Sequence, residues 1–324
     1  MQLVFEGDCN IYSLSLPYRH GGVNVFFTED GNGLTMIDAG IDSEESWNMV
    51  TDALKKMGRS PGDIDRVLIT HHHSDHIGLL HRLLEIRDIP VFAHPAAIAN
   101  MRFDSDAQRK RIEFFQNLYR EMGCGELGEM WIERMRQSAN ENARIRVTGE
   151  IRPLMPDRVP SDVRLEPIWS PGHAHSHLMF YDRGRKVLFC GDHVLPNINT
   201  NALVEPDESG GRRKTLVMYY HSLRTCREIE ADLALPGHGN PFRNFRQTVE
   251  QRIAHIDQKL RRMQALLSDR PVTAFELARM YYPQEYKRQF SLVMSSVIGT
   301  LDFLECEGRA VKFFKEGIWH YMSA

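Results

Sequence analysis

Short apolar runs bounded by Gly, Asp and Asn alternate with longer stretches of helical period over the first part of the chain. Residues 11–17 and 23–28 are short and apolar or alternating, so they predict strands. Gly31-Asn32-Gly33 reads as a hairpin turn, and residues 34–39 as a buried strand ending in Asp38-Ala39-Gly40. Residues 43–57 place apolar side chains at helical spacing, with Ser43 as N-cap and Gly58 as stop. A strand is predicted over 66–70, a helix over 77–87 and a strand over 90–93. That alternation builds layers of sheet and helix.

Residues 95–142 differ in character. They are rich in Arg, Glu and Met, with helical period over 109–122 and 127–138, and predict a helical insertion. Strands resume at Ile151 and continue over 163–168, 177–181 and 186–190; Pro241-Phe242 closes the strand-rich part. A long polar helix is predicted over 245–267, followed by helices 273–280 and 290–307 and two short strands, 310–314 and 318–321, around Lys315-Glu316-Gly317. That order suggests a small winged-helix-like module. The chain thus divides into residues 1–244 and a tail, 245–324, and 324 residues suit about two domains.

Composition narrows the class without naming it. The hydrophobic fraction is 42% and the charged fraction 26%, ordinary for a globular protein, and a net charge of -3 supplies no overall field toward nucleic acid or a membrane. Cys9, Cys124, Cys190, Cys226 and Cys306 are scattered and form no C-x-x-C pair, which argues for a reducing, cytoplasmic compartment. Glu6 and Asp8 stand where a signal peptide would need an apolar core, and no apolar run reaches the roughly 18 residues of a spanning helix.

The chemistry is concentrated in Thr70-His71-His72-His73-Ser74-Asp75-His76, directly after a predicted strand. Sites in layered α/β folds form at the carboxyl ends of strands. His71 and His73 are two apart and can aim at one point, while Asp75 and His76 can aim at a second a few Å away. Imidazole and carboxylate are natural ligands for zinc, manganese or iron. Three further strand ends carry Pro171-Gly172-His173, Gly191-Asp192 and Pro236-Gly237-His238-Gly239. Four such clusters are hard to explain without metal.

This set resembles the metallo-β-lactamase superfamily: H-x-H-x-D-H at 71–76, P-G-H at 171–173, G-D at 191–192, P-G-H-G at 236–239, and Asp38 after an early strand. The resemblance covers about residues 1–245. It implies a four-layer αββα sandwich. It also implies two divalent cations, zinc before manganese or iron, with His71, His73 and His173 holding one, Asp75, His76 and His238 the other, and Asp192 bridging. A hydroxide shared by the two cations would then attack a carbonyl or phosphoryl centre, oriented by Asp75. The tail and Gly191-Asp192-His193-Val194-Leu195-Pro196 resemble one hydrolase branch of the superfamily.

Asp75 and His177 are the candidate catalytic side chains, His177 as an orienting histidine four past His173. Asp38 is expected to orient the ligand loop through hydrogen bonds, and His72, His175 and His193 to be structural or supporting. Tyr219, Tyr220 and His221 could reach the substrate, although helix packing explains them better. The Met and aromatic residues of the insertion (Met101, Phe103, Phe114, Phe115, Tyr119, Met122, Met130, Trp131 and Met135) could form an apolar lid, although core packing accounts for most of them. Lys259, Arg261 and Arg262 read as a solvated face.

The leading expectation is hydrolysis of an ester, thioester or lactone of a small organic substrate. Phosphodiesterase or endoribonuclease activity is the second, with Arg212, Arg213 and Lys214 as its basic track. A sensor whose tail binds DNA is the third, but residues 289–297 carry few basic side chains, which favours packing or a homodimer contact. β-Lactam hydrolysis and iron redox chemistry fit less well.

Overall fold

The computed structural model of the protein describes every residue except 7–9, 19–20, 31–32, 162, 198–199 and 268–269. Two sheets face each other. The first has seven strands in chain order: β1 (Gln2–Phe5), β2 (Ile11–Leu16), β3 (Val23–Asp30), β4 (Gly33–Ile37), β5 (Ile64–Leu68), β6 (Val91–Ala93) and β7 (Ile151–Pro153). β1 to β4 run antiparallel and β4 to β7 parallel. The second sheet has the order β11-β10-β9-β8, from β8 (Glu166–Trp169), β9 (Leu178–Asp182), β10 (Val187–Gly191) and β11 (Leu233–Pro236).

β9, β10 and β11 are buried along their whole length, because side chains alternate between two covered faces, while β8 is the partly exposed edge. Phe180, Phe189 and Leu235 point to the space between the sheets, where they meet Phe26, Ile37, Leu68 and Phe92 of the first sheet. Met179, Leu188 and Ala234 point the other way, onto helices. Val67, Val91 and Met36 of the first sheet turn outward to the helices of its own side. Helix, sheet, sheet and helix layers follow, as the resemblance implied.

Helices α1 (Glu44–Lys56), α2 (Ser74–Ile77) and α3 (Leu80–Ile86) belong to the first sheet's outer layer. Ser43 caps α1, its side chain accepting the Ser46 amide. The single helix expected over 77–87 is broken. Gly78 and Leu79 donate their amides to the carbonyls of Gly40 and Ala39 instead of continuing the turn. A Cβ at Gly78 would lie 2.3 Å from the Asp42 nitrogen, so only glycine admits this approach. The strand expected over 66–70 ends two residues early, since the Asp38 carboxylate takes the Thr70 amide. The hairpin turn holds as the antiparallel pairing of Asp30 with Gly33, while Gly31 and Asn32 lie outside the described residues.

The insertion is helical, with α4 (Ile98–Met101), α5 (Ser105–Glu121) and α6 (Gly125–Asn142). After β10 come α7 (Thr215–Cys226), α8 (Phe245–Gln264), α9 (Ala274–Tyr281) and α10 (Phe290–Cys306). The tail ends in a sheet of order β12-β14-β13, from β12 (Val272–Thr273), β13 (Ala310–Lys315) and β14 (Ile318–Ser323). An unbroken apolar cluster joins this tail to the insertion and the second sheet through Phe290, Val297, Leu301, Tyr119 and Leu216. Nearly every residue of α10 from Val293 to Leu304 is buried, so it presents no face to a DNA groove. No helix is long and apolar enough to cross a membrane. Cys124, Cys190, Cys226 and Cys306 are free thiols, and Cys9 lies outside the described residues.

Candidate metal centre

Each chemical cluster leaves the carboxyl end of a strand, and backbone contacts bring those ends together. The parallel register of β10 with β11 sets Gly191 beside Pro236, and Gly237 donates its amide to the Gly191 carbonyl at 2.8 Å. Asp192 and His238 therefore emerge side by side. Leu178 donates to the Thr70 carbonyl at 2.8 Å, which ties the histidine loop after β5 to the second sheet.

Three ring nitrogens converge first. His71 Nε2 lies 2.9 Å and His173 Nε2 3.0 Å from His73 Nδ1. The other nitrogens fix the tautomers. His173 Nδ1 donates to the Asn201 carbonyl at 3.0 Å. Thr70 Oγ1 donates to Asp38 Oδ2 and so accepts from His71 Nδ1 at 3.1 Å. At least two bare lone pairs thus point at one spot.

The second group is built from Asp75, His76 and His238, and Asp192 stands between the two. His76 Nδ1 donates to Asp38 Oδ2 at 2.8 Å, and His238 Nδ1 donates to the Gly22 carbonyl at 2.6 Å, which turns both Nε2 atoms inward. His238 Nε2 lies 3.4 Å from Asp75 Oδ2 and 3.3 Å from Asp192 Oδ2. Asp192 Oδ2 is also 3.6 Å from His173 Nε2, and Asp192 Oδ1 is 3.5 Å from His76 Nε2. Ligand atoms of His71, His73 and His173, of Asp75, His76 and His238, and of His71, His76 and Asp192 lie in each case within 4.8 Å of one another.

Electrostatics separates the halves. Burial pushes His71 well below its ordinary value, helped by the charge of His76 and His73. Burial opposes charge on His76 as well, but Asp192, Asp38 and Asp75 outweigh it and hold that ring well above its ordinary value. Burial likewise opposes the ionised Asp75, yet His76 and the hydrogen bond from His238 bring it down to about 2. One half thus offers neutral lone pairs and the other excess negative charge, the two things a divalent cation binds. His76 Nε2 and Asp192 Oδ1 are fully buried with no hydrogen-bond partner in the protein. Such orphaned polar atoms are costly unless a ligand meets them, so the residues fit a metal.

The supporting side chains are equally defined. Asp38 holds φ at 56°, a conformation that Asn and Asp tolerate better than most side chains, and its oxygens receive the Thr70 amide, the Thr70 hydroxyl and His76 Nδ1, each at 2.8 Å. It orients the loop as expected. His177 Nε2 accepts the Asp192 amide at 3.1 Å, so its Nδ1 donates to Ser170 Oγ at 2.7 Å. Both nitrogens are engaged and the ring is fully buried, so His177 holds the Asp192 backbone from behind. Tyr219 is buried, donates to the His193 carbonyl at 2.7 Å and serves packing; Tyr220 stacks edge-on against Phe303. His193 Nε2 lies 3.1 Å from Ser222 Oγ, and His72 Nδ1 lies 3.1 Å from Ser176 Oγ.

A cavity of about 710 Å³ is lined by His72, which lies between His71 and His73 in the chain, and by His175 and Ser176, two and three residues past His173. Of the aromatic and Met residues expected as a lid, Phe114 lines it, whereas Met101, Phe115, Tyr119 and Met122 are core. Its far wall is the loop after β10, which has no helix or strand among its described residues. Sequence reasoning missed what holds this loop. Arg252 of α8 donates to the carbonyls of Leu195 and Pro196, Ser295 Oγ accepts the Val204 amide, and Asp302 of α10 takes Arg212 in a two-point ion pair. An acid inside the apolar helix 290–306 was the one signal available, since a buried carboxylate requires a partner.

Residues 18–238 match the family model described as the metallo-beta-lactamase superfamily. The chain is 32% identical over 309 residues to the probable metallo-hydrolase YqjP of Bacillus subtilis, covering 93% of each chain. A metallo-beta-lactamase family protein of Thermus thermophilus superposes with a TM-score of 0.78 at 25% identity, covering 97% of this chain and 98% of the other. A beta-lactamase domain protein of Burkholderia ambifaria shares the fold, with a TM-score of 0.78 at 23% identity over 100% of this chain and 94% of that one. With its strand-end histidines and aspartates converging as described, the chain belongs to the metallo-β-lactamase superfamily and is a metallo-hydrolase.

Proposed function

We propose that the protein hydrolyses an ester, thioester or lactone of a small organic acid using two divalent cations, zinc by preference. His71, His73 and His173 would hold one, Asp75, His76 and His238 the other, and Asp192 would bridge them. The convergence of these donor atoms, in three groups each within 4.8 Å, with His76 Nε2 and Asp192 Oδ1 buried without a hydrogen bond, carries this reading. When bound, such a pair lowers the pKa of a shared water to near neutrality and polarises the substrate carbonyl. Asp75 is held ionised and can accept a hydrogen bond from the attacking water, fixing its direction. Asp38 and His177 keep His76 and the Asp192 backbone in place, so little reorganisation accompanies reaction.

The side chains that suggested a nuclease favour the ester reading. Arg212 pairs with Asp302 and Arg213 with Glu208, and Lys214 hydrogen-bonds Cys306, so the expected basic track is occupied within the protein. We read residues 1–244 as the catalytic unit and 245–324 as a winged-helix-like module packed upon it. Elemental analysis alongside nitrophenyl ester and acyl thioester turnover tests the proposal. About two metal equivalents are expected, with activity lost on chelation and regained with zinc or manganese. Undiminished turnover by fully exchanged apo protein refutes it.

A further inference from the structure

We propose that the cavity lined by His72 and His175 receives an anionic group of the substrate, a carboxylate or a phosphate, and that Arg111 on α5 binds it. The proposal rests on the hydrolase reading and adds the substrate's charge. Arg111 and Lys110 both line the cavity, Lys110 on an exposed stretch of α5. Neither has a carboxylate partner within ion-pair distance among the described residues. The guanidinium of Arg111 is instead steadied over the Phe115 ring, 5.3 Å from its centroid.

The acids that face the same space are already engaged. Glu113 pairs with Arg109 at 3.0 Å along α5, and Glu208 pairs with Arg213. Asp207 Oδ1 accepts from the Ser209 amide, the Ser209 hydroxyl and the Gly211 amide. Glu205 Oε2 accepts the His175 amide at 2.9 Å, and burial holds its carboxyl above the ordinary range. Glu205 and Asp207 keep their charge but spend it on backbone and hydroxyl donors, which leaves Arg111 and Lys110 as cations without an ion-pair partner among the described residues, over lining made apolar by Ala96, Ala99 and Phe114. A short apolar body ending in a charged oxyacid group is complementary to that surface, and a planar guanidinium binds carboxylate or phosphate at two points.

The test compares matched pairs on metal-loaded protein: nitrophenyl butyrate with mono-nitrophenyl succinate, and S-acetyl pantetheine with its phosphorylated form. Arg111→Met should raise KM for the charged member of at least one pair by roughly ten- to a hundred-fold. It should leave kcat, and both constants for the neutral member, within about twofold, and Arg111→Lys should recover part of the loss. Dependence in the succinate pair puts the anion on the acyl portion; dependence in the thioester pair puts it on the leaving group. If the charged and neutral members respond alike in both pairs, the inference is wrong. If the wild type hydrolyses none of the four, the ester and thioester reading fails instead. Calorimetric titration with succinamate against butyramide, and with phosphopantetheine against pantetheine, then decides on binding alone. Arg111-dependent affinity for a charged ligand upholds the subsite, and equal affinity of wild type and Arg111→Met for both overturns it.

Discussion

Replacing Asp38 with asparagine isolates one atom's charge. Asparagine accepts φ near 56° almost as well as aspartate, so the backbone is preserved. In the native protein Oδ1 takes the Thr70 amide, while Oδ2 takes both the Thr70 hydroxyl and His76 Nδ1. An amide offers one acceptor and one donor. With oxygen kept toward the Thr70 amide, the NH2 faces His76 Nδ1 at about 2.8 Å. The imidazole then prefers its other tautomer, which puts a proton on Nε2, the atom aimed at the metal. Metal binding must restore the Nδ1 proton and set two donors face to face, forfeiting a charge-assisted bond of roughly 1.5–3 kcal/mol. The flipped amide sets its NH2 against the Thr70 amide and gains nothing. Loss of such a supporting carboxylate typically lowers metal affinity roughly 10–100-fold, in line with that sum. Competition against a chromophoric chelator should show both equivalents weakened, since the NH2 also faces Thr70 Oγ1, whose proton then turns toward His71 Nδ1. The metal-free variant should remain folded by circular dichroism. If Asp38→Asn binds both equivalents with wild-type affinity, the tautomer argument is wrong.

Three further outcomes follow from distances and burial. Gly237→Ala would place a Cβ 2.3 Å from Asp192 Oδ1 and 2.8 Å from His76 Cε1, so metal content by elemental analysis should fall, whereas Gly239→Ala meets no atom within 4 Å and should retain metal despite its strained φ. Asp302→Ala leaves the half-buried Arg212 guanidinium without its carboxylate and should cost up to about 3 kcal/mol in urea unfolding; a loss under about 1 kcal/mol would show that the pair is not needed. Burial carries the Lys259 ammonium from 10.5 down to about 8, so between those values the unfolded chain binds more protons and stability rises with pH. Lys259→Met should therefore raise the melting temperature at pH 7, where the full penalty applies, and the gain should vanish near pH 10.5; a gain that does not vary with pH contradicts the assignment.

The parts of this protein legible in its sequence share one property: their signal is local. Strands buried on both faces read as continuous apolar runs, as in Leu233 to Pro236, and α1 announces itself through Ser43 and its spacing. The histidine loop is legible because five histidine and aspartate side chains fall within six residues, close after a strand end. The rest depends on residues distant in the chain. Nothing near Gly78 shows that its amide will turn to Gly40, so the break between α2 and α3 is invisible before folding. The role of His177 could be guessed from its spacing but not its two partners, since Ser170 Oγ and the Asp192 amide reach it from different strands.

The same distinction explains the tail. A long irregular loop beside a metal centre carries a large conformational entropy, which its own sequence cannot offset. Here Asn201 must present a carbonyl to His173, and Thr200 Oγ1 donates to the Asp192 carbonyl at 2.9 Å, so the loop's position sets two ligands. Its order comes from outside, through Arg252, Ser295 and Asp302, at sequence separations of 57, 91 and 90 residues. Ser295 and Asp302 project from α10, the most deeply buried helix of the tail, and α10 in turn packs on α7 and α8. The tail therefore fixes the loop that forms one wall of the cavity and steadies the backbone behind His173 and Asp192. A module with that task needs an apolar helix bearing a few buried polar groups, and α10 has that composition.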